Sequence, residues 1–244
     1  MDTGTTHNVS ASLAMGGVFV ALTATFILFG MNLGQFNSYR VMFPNDRKRV
    51  KVMVRSVFVL DVAHTCFCVA LIYMYLVRWH GNEARMSYIH WTTAVSAAFQ
   101  NATLSVVQGA SVYKLWLLSE RSKIVAVAAL LTILRTAFGY ASDTLMPMKN
   151  VWSNYRDDRI ARTIILVSLS CSFADDAFIT ASLAYYLHRK RTGMRGTEYI
   201  IRIVTLYAIN FGALTMLTSL SALLSFLLYE NSILFGGLVE LSTK

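Results

Sequence analysis

Six stretches of this chain are each long and apolar enough to cross a lipid bilayer: about residues 11–33, 52–77, 88–118, 123–141, 161–187 and 202–229. A helix needs roughly 20 apolar residues to traverse the hydrocarbon core. Backbone in lipid has no water to bond, so each run must close its hydrogen bonds within itself, as a helix does. The runs are too long for barrel strands and do not alternate apolar with polar residues. A seventh run, 231–244, holds 14 residues. That is too short to span alone and is expected to form a partial helix. The expected fold class is therefore an all-α integral membrane protein, a seven-helix bundle of six full transmembrane helices plus a partial seventh. Residues 1–10 are expected as an extracellular N-terminal segment and 11–244 as a single transmembrane bundle domain.

Composition agrees with this reading. Charged residues are only 14% of the 244, and hydrophobic residues are 55%. Soluble domains average about 25% charged, so this chain lacks the charge to cover a water-facing surface of its size. Two prolines and 13 glycines are also too few for a turn-rich β protein. Soluble enzyme, disordered and collagen-like readings are excluded. The first run is not expected to be a cleaved leader, since no Lys or Arg precedes it and it is long enough to span.

The net charge of +9 would point to nucleic acid in a soluble protein. Here the basic residues sit in short loops and report topology instead, so nucleic acid is not an expected partner. Segments 34–55, 114–123 and 188–202 hold 14 Lys and Arg, whereas the loops of the opposite side hold 6 and an equal number of acids, Asp143 among them. This bias places the three basic loops in the cytoplasm and the N-terminus outside, in the plasma membrane or an endomembrane. Most basic clusters at span ends only set topology, and attraction to anionic lipid follows from the same charge. Cys66, Cys68 and Cys171 all fall inside apolar runs, which speaks against a disulfide framework, and Cys66-x-Cys68 is not a metal spacing. Asn8-Val9-Ser10 makes Asn8 a glycosylation candidate, while the Asn101 sequon lies within a span.

Ionisable groups at membrane depth are costly and by default functional. Asp61 and His64 lie in the second run, Arg135 in the fourth, and Asp175 and Asp176 in the fifth. Asp61, His64, Thr65 and Cys68 at i, i+3, i+4 and i+7 share one helix face. Ser168, Ser172 and Asp175 form a stripe that favours Asp175 over Asp176 for the interior. The third run carries two polar stripes, Thr93, Ser96, Gln100 and Thr103 on one and Asn101, Ser105 and Gln108 on the other. No wide face of it suits lipid, so it should be central. Tyr207 and Asn210 add polar groups to the sixth run. Asp61, His64, Arg135 and one of the paired aspartates are expected to face one another, because an unpaired charge in lipid costs several kcal/mol. The commonest role for such polar groups is interhelical glue. Three carboxylates against one arginine and one histidine also suit a ligand pocket or proton relay, with Gln100 and Asn210 as further candidates.

No phosphate loop, nucleophile elbow or zinc-protease motif occurs, and neither catalytic residues nor a metal or other cofactor are expected. A retinal site is not expected, since Lys244 is the terminal residue here and the third run has no Asp to act as counter-ion. The rhodopsin-like receptor signatures are also missing: the third run ends Tyr113-Lys114-Leu115-Trp116.

Several pieces, in order along about residues 15–244, together resemble one family. They are Tyr39 with Phe43-Pro44-Asn45-Asp46, Asp61-Val62-Ala63-His64, Tyr185-Tyr186-Leu187 followed by Arg191-Thr192-Gly193, and Asn210-Phe211-Gly212-Ala213-Leu214-Thr215. The family is a large basidiomycete (fungal) group of multi-pass membrane proteins defined only as a domain of unknown function, number 6534. The resemblance implies seven helices with the N-terminus outside and supplies no activity. Family members run on past a lysine like Lys244 to complete a seventh span, which here is expected to be partial. The expected function is a non-enzymatic membrane protein, receptor-like or binding a small-molecule or lipid ligand, with membrane lipid and a further copy or another protein as partners. The alternatives are an intramembrane enzyme of terpene-cyclase type using Asp61 and Asp175 as general acids, and a small transporter, for which no internal repeat is visible.

Overall fold

The apolar runs fold into long helices that extend beyond them at most ends. The computed structural model describes residues 3–79, 82, 85, 88–119, 123–189 and 195–228, with side chains from residue 19 on the first helix and from 212 on the last. The helices are α1 (Thr3–Met42), α2 (Lys48–Ile72), α3 (Trp91–Ser119), α4 (Lys123–Lys149), α5 (Trp152–Asp157), α6 (Arg159–Arg189) and α7 (Arg195–Leu228). The run 231–244, expected as a partial seventh span, lies outside the described residues.

Among the described residues three helices are long and apolar enough to cross a membrane: Lys48–Arg78, Lys123–Lys149 and Arg159–Tyr186. Gly212–Leu228 is a shorter apolar helix. The all-α expectation therefore holds, and three of the six full spans stand out by length and apolarity. The 29 residues of α3 would be long enough, but its hydroxyls and amides lower its apolarity.

Local chemistry explains the helix ends. α2 runs on through a π-helical turn, Tyr73–Arg78, closed by Trp79 N–H donating to Met74 O at 3.0 Å. Pro147 lies in the last turn of α4 and has no N–H to donate back along the helix, which favours the helix ending two residues later. The next break is Asn150, in the left-handed region at φ 57°, which Asn tolerates better than other residues with a Cβ. Val151 then bridges Tyr88, and Ile89 N–H donates to Asn150 O at 2.8 Å. Asp158 caps α6 by accepting Ile160 N–H at 2.8 Å and pairs with Lys149, so it ties the end of α4 to the start of α6. The intervening α5, which sequence periodicity did not separate from loop, buries Tyr155 completely, with its hydroxyl 2.8 Å from Ser142 Oγ.

α3 sits at the centre, packed on α2, α4 and α6, while α6 also packs on α7 and α4, and α1 lies against α2. That central place matches the two polar stripes of the third run. Two apolar clusters close the bundle. One joins Ile89, Tyr155, Ile165, Leu169, Ala222 and Phe226. The other joins Leu115, Ala128 and Ile179. On α6 the two clusters flank Asp175 and Asp176, and on α4 Ala128 and Leu145 flank Arg135. The charges are thus held in a layer with apolar packing above and below.

Candidate functional site

On α4 the buried positions are Ala128, Arg135, Gly139 and Asp143, spaced by seven, four and four so that all share one face. Arg135 points from that face at α6. Its Nη1 lies 3.3 Å from Asp176 Oδ1 and 3.8 Å from Asp175 Oδ2. Consecutive residues on a helix diverge by about 100°, so two adjacent carboxylates reach one guanidinium only from either side of it. Both aspartates are interior, 0% and 4% exposed. Asp175, favoured for the interior by its stripe, is fully buried; Asp176 is interior as well and makes the shorter contact with Arg135.

Neighbouring helices complete the shell. Asp176 accepts Gln108 Nε2 from α3 at 2.5 Å and Ser219 Oγ from α7 at 3.0 Å. Asp175 accepts the Thr132 hydroxyl, 3.1 Å and 3.3 Å from its two oxygens. Four helices, α3, α4, α6 and α7, thereby meet at two carboxylates. A buried carboxylate needs several donors to replace water, and here the donors come from different elements, so burial and helix assembly are one event.

A second group lies where α2 meets α1 and α3. The buried residues of α2 are Asp61, His64, Thr65 and Cys68, the face that helical spacing predicts. Asp61 Oδ2 accepts Asn32 Nδ2 from α1 at 3.3 Å. Thr65 Oγ1 donates to Asp61 O at 2.7 Å. Cys68 Sγ lies 3.5 Å from His64 Nε2 and 3.4 Å from Ser96 Oγ of α3. Gln100 is buried on α3, one turn beyond Ser96. Thr93 Oγ1, one turn before Ser96, is buried and has no hydrogen-bond partner among the described residues.

A third contact corrects the sequence reading. Asp143 was assigned to an outer loop, but it is buried on α4 and accepts Asn101 Nδ2 from α3 at 2.6 Å. Its signal was its register, eight residues beyond Arg135 on the same face. Gly139 makes the contact reachable: a Cβ there would meet Asn101 Oδ1 at 2.8 Å. Ser105 and Thr136 add a hydroxyl pair at 3.3 Å on the same α3–α4 seam.

Of the candidate residues, Arg135, Asp175 and Asp176 are brought together, Asp61 and His64 share the α2 face, and Gln100 lies on the polar face of α3. Asn210 is on α7 and Asn8 on α1, but their side chains lie outside the described residues. Gln108, which the second polar stripe of the third run includes, joins the site, as do Thr132, Ser219 and Asn32, which no sequence pattern marks. Spanning helices carry many hydroxyls and amides, and nothing local marks those that face a charge. No group of three or more His, Cys, Asp or Glu among the described residues could hold a metal ion.

A family described as a family of unknown function (DUF6534) matches residues 172–243. That stretch begins just before Asp175 and includes Asn210-Phe211-Gly212. No curated protein matches the chain, and no solved structure does.

Proposed function

We propose that this chain is a fungal multi-pass membrane protein of seven-helix, receptor-like type, with the N-terminus outside and the three basic loops in the cytoplasm. In this reading the middle layer is the element that responds to a small-molecule or lipid ligand. The match over residues 172–243 and the three apolar spans support the membrane class. One observation carries the receptor reading: four helices converge on Asp175 and Asp176, which share one arginine. Two carboxylates against one guanidinium can be partnered in more than one way. Shifting any of the four helices trades one set of donors for another, which is the property of a two-state element.

The acid-catalyst alternative is less well supported. Asp175 is engaged by Thr132 and Arg135, and a general acid has to aim a proton at substrate. A thermal-shift screen of the purified full chain against lipids and metabolites tests the proposal. A ligand that raises the midpoint for the wild type but not for a folded Asp176→Asn variant supports it. Substrate flux in proteoliposomes would replace it with transport, and cyclised product from polyprenyl epoxides would replace it with the enzyme reading.

A further inference from the structure

The hairpin between α1 and α2 has a shape that topology alone does not require. Its only acid is Asp46, and both carboxylate oxygens are used to close the loop. Oδ2 accepts the Tyr39 hydroxyl at 2.8 Å, and Oδ1 accepts Arg47 N–H at 3.0 Å. The Phe43 ring stacks on Tyr39 with centroids 5.8 Å apart, and Phe43 N–H donates to Tyr39 O at 3.0 Å. Lys51 Nζ donates to Pro44 O and pins the far side. Below the loop, Phe36 and Phe58 stack at 4.0 Å, which fixes α1 against α2. The Tyr, Phe-Pro and Asp pieces of this segment therefore form one closed turn.

Five cations surround that turn and remain exposed: Arg40, Arg47, Lys48, Arg49 and Arg55. Among the described residues no carboxylate pairs with any of them. Lys48 and Arg49 do not serve α2 itself, because cations in a first turn oppose the helix dipole. Beside them the tip exposes Val41, Met42 and Phe43, at 73%, 72% and 55%. An apolar tip flanked by cations suits the boundary between head groups and acyl chains. The apolar span begins at Lys48, which puts the cluster at that boundary.

We infer that the α1–α2 hairpin is a preformed binding site for phosphate-bearing lipid head groups, selective for head groups with several phosphates. Closing the loop on Asp46 removes the one carboxylate that would otherwise compete with a lipid phosphate. The closed turn joins the last turn of α1, which carries Arg40, to the start of α2, with Arg47 at its N-cap and Lys48 and Arg49 in its first turn, so one head group can meet several cations at once. The inference does not depend on the receptor reading, since it uses neither Arg135 nor the aspartates.

Native mass spectrometry of the full chain in neutral detergent, with added phosphatidylcholine, phosphatidylserine or phosphatidylinositol bisphosphate, tests it. The bisphosphate lipid should bind at least tenfold more tightly than phosphatidylcholine and more tightly than phosphatidylserine. The R47Q/K48Q/R49Q variant should lose at least tenfold. Tyr39→Phe, which keeps every charge but opens the loop, should lose a smaller part of the selectivity. Free inositol trisphosphate should compete weakly, because it lacks the acyl chains that meet the Val41–Phe43 tip. Equal binding of all three lipids, wild-type affinity in the triple variant, or free inositol trisphosphate binding as tightly as the lipid would overturn the inference.

Discussion

At the scale of single residues, Arg135 is the group on which most depends. Removing it leaves Asp175 and Asp176 side by side with no cation between them, and breaking a buried pair in this way costs about 3–5 kcal/mol. Arg135→Gln is expected to lower the melting temperature of the purified protein sharply, whereas Thr132→Ala, which deletes one neutral donor, should cost only about 1 kcal/mol. Equal midpoints for the two variants would show that the ion pair contributes little. His90 precedes α3, which begins at Trp91, and supplies a pH-dependent test. Partial burial first, and Arg78 second, hold its pKa below the ordinary 6.5. Its ring packs edge-on to Trp79 with centroids 5.4 Å apart, and its Nδ1 lies 2.8 Å from Thr92 Oγ1. Because the folded pKa is the lower one, the fold favours neutral His90. That contribution is present above the unfolded value of 6.5 and is lost as pH falls below it. The midpoint should drop between pH 7.5 and pH 5.5, and by less in His90→Gln. Sequence alone marked the charges through their rarity in apolar runs. It did not reveal their partners, because Gln108 and Ser219 look like any other polar residue on a spanning helix.

At the scale of helices, α6 and α7 approach closely at Gly212. A Cβ on Gly212 would lie 2.0 Å from Thr180 Oγ1, 2.7 Å from its Cγ2 and 2.8 Å from its Cβ. Thr180 is β-branched and stiff, so it cannot swing clear by rotation alone. This is the physical reason for a glycine in Asn210-Phe211-Gly212: it lets α7 approach α6 closely enough for Ser219 to reach Asp176. Gly212→Ala should destabilise by about 1–3 kcal/mol through overpacking. Thr180→Gly in the same chain should recover much of that loss, and absence of recovery in thermal melts would locate the strain elsewhere. The turn after α4 gives a second test. Asn150 at φ 57° accepts Ile89 N–H through its carbonyl, so the turn must keep this conformation. Asn150→Val should cost roughly 1–2 kcal/mol and Asn150→Gly much less. Helix existence could be read from run length, but α5 and the π-helical turn could not. Each is set by packing and by how one helix hands over to the next, and neither leaves a periodic trace.

At the scale of the whole molecule, orientation is the open test. A single cysteine at Asn45, in a chain whose three native cysteines are replaced, should react with membrane-impermeant maleimide only after the cytoplasmic side is exposed. Reaction from outside intact cells would reverse the topology. What the amino-acid order determined by itself is the class of fold, because the hydrocarbon core admits only backbone that bonds internally and runs of roughly 20 apolar residues do that as helices. It also determined which face of α2 turns inward, since Asp61, His64, Thr65 and Cys68 follow helical spacing. The central place of α3 follows likewise, since a helix polar on two sides has no face for lipid. Only tertiary structure decided that Arg135 serves both aspartates, that Asp143 is buried against Asn101, and that the charged layer lies between two apolar clusters. Periodicity reports a direction around one helix axis. Which neighbour stands in that direction depends on the rotation and depth of every other helix, and here close approaches at Gly139 and Gly212 set them.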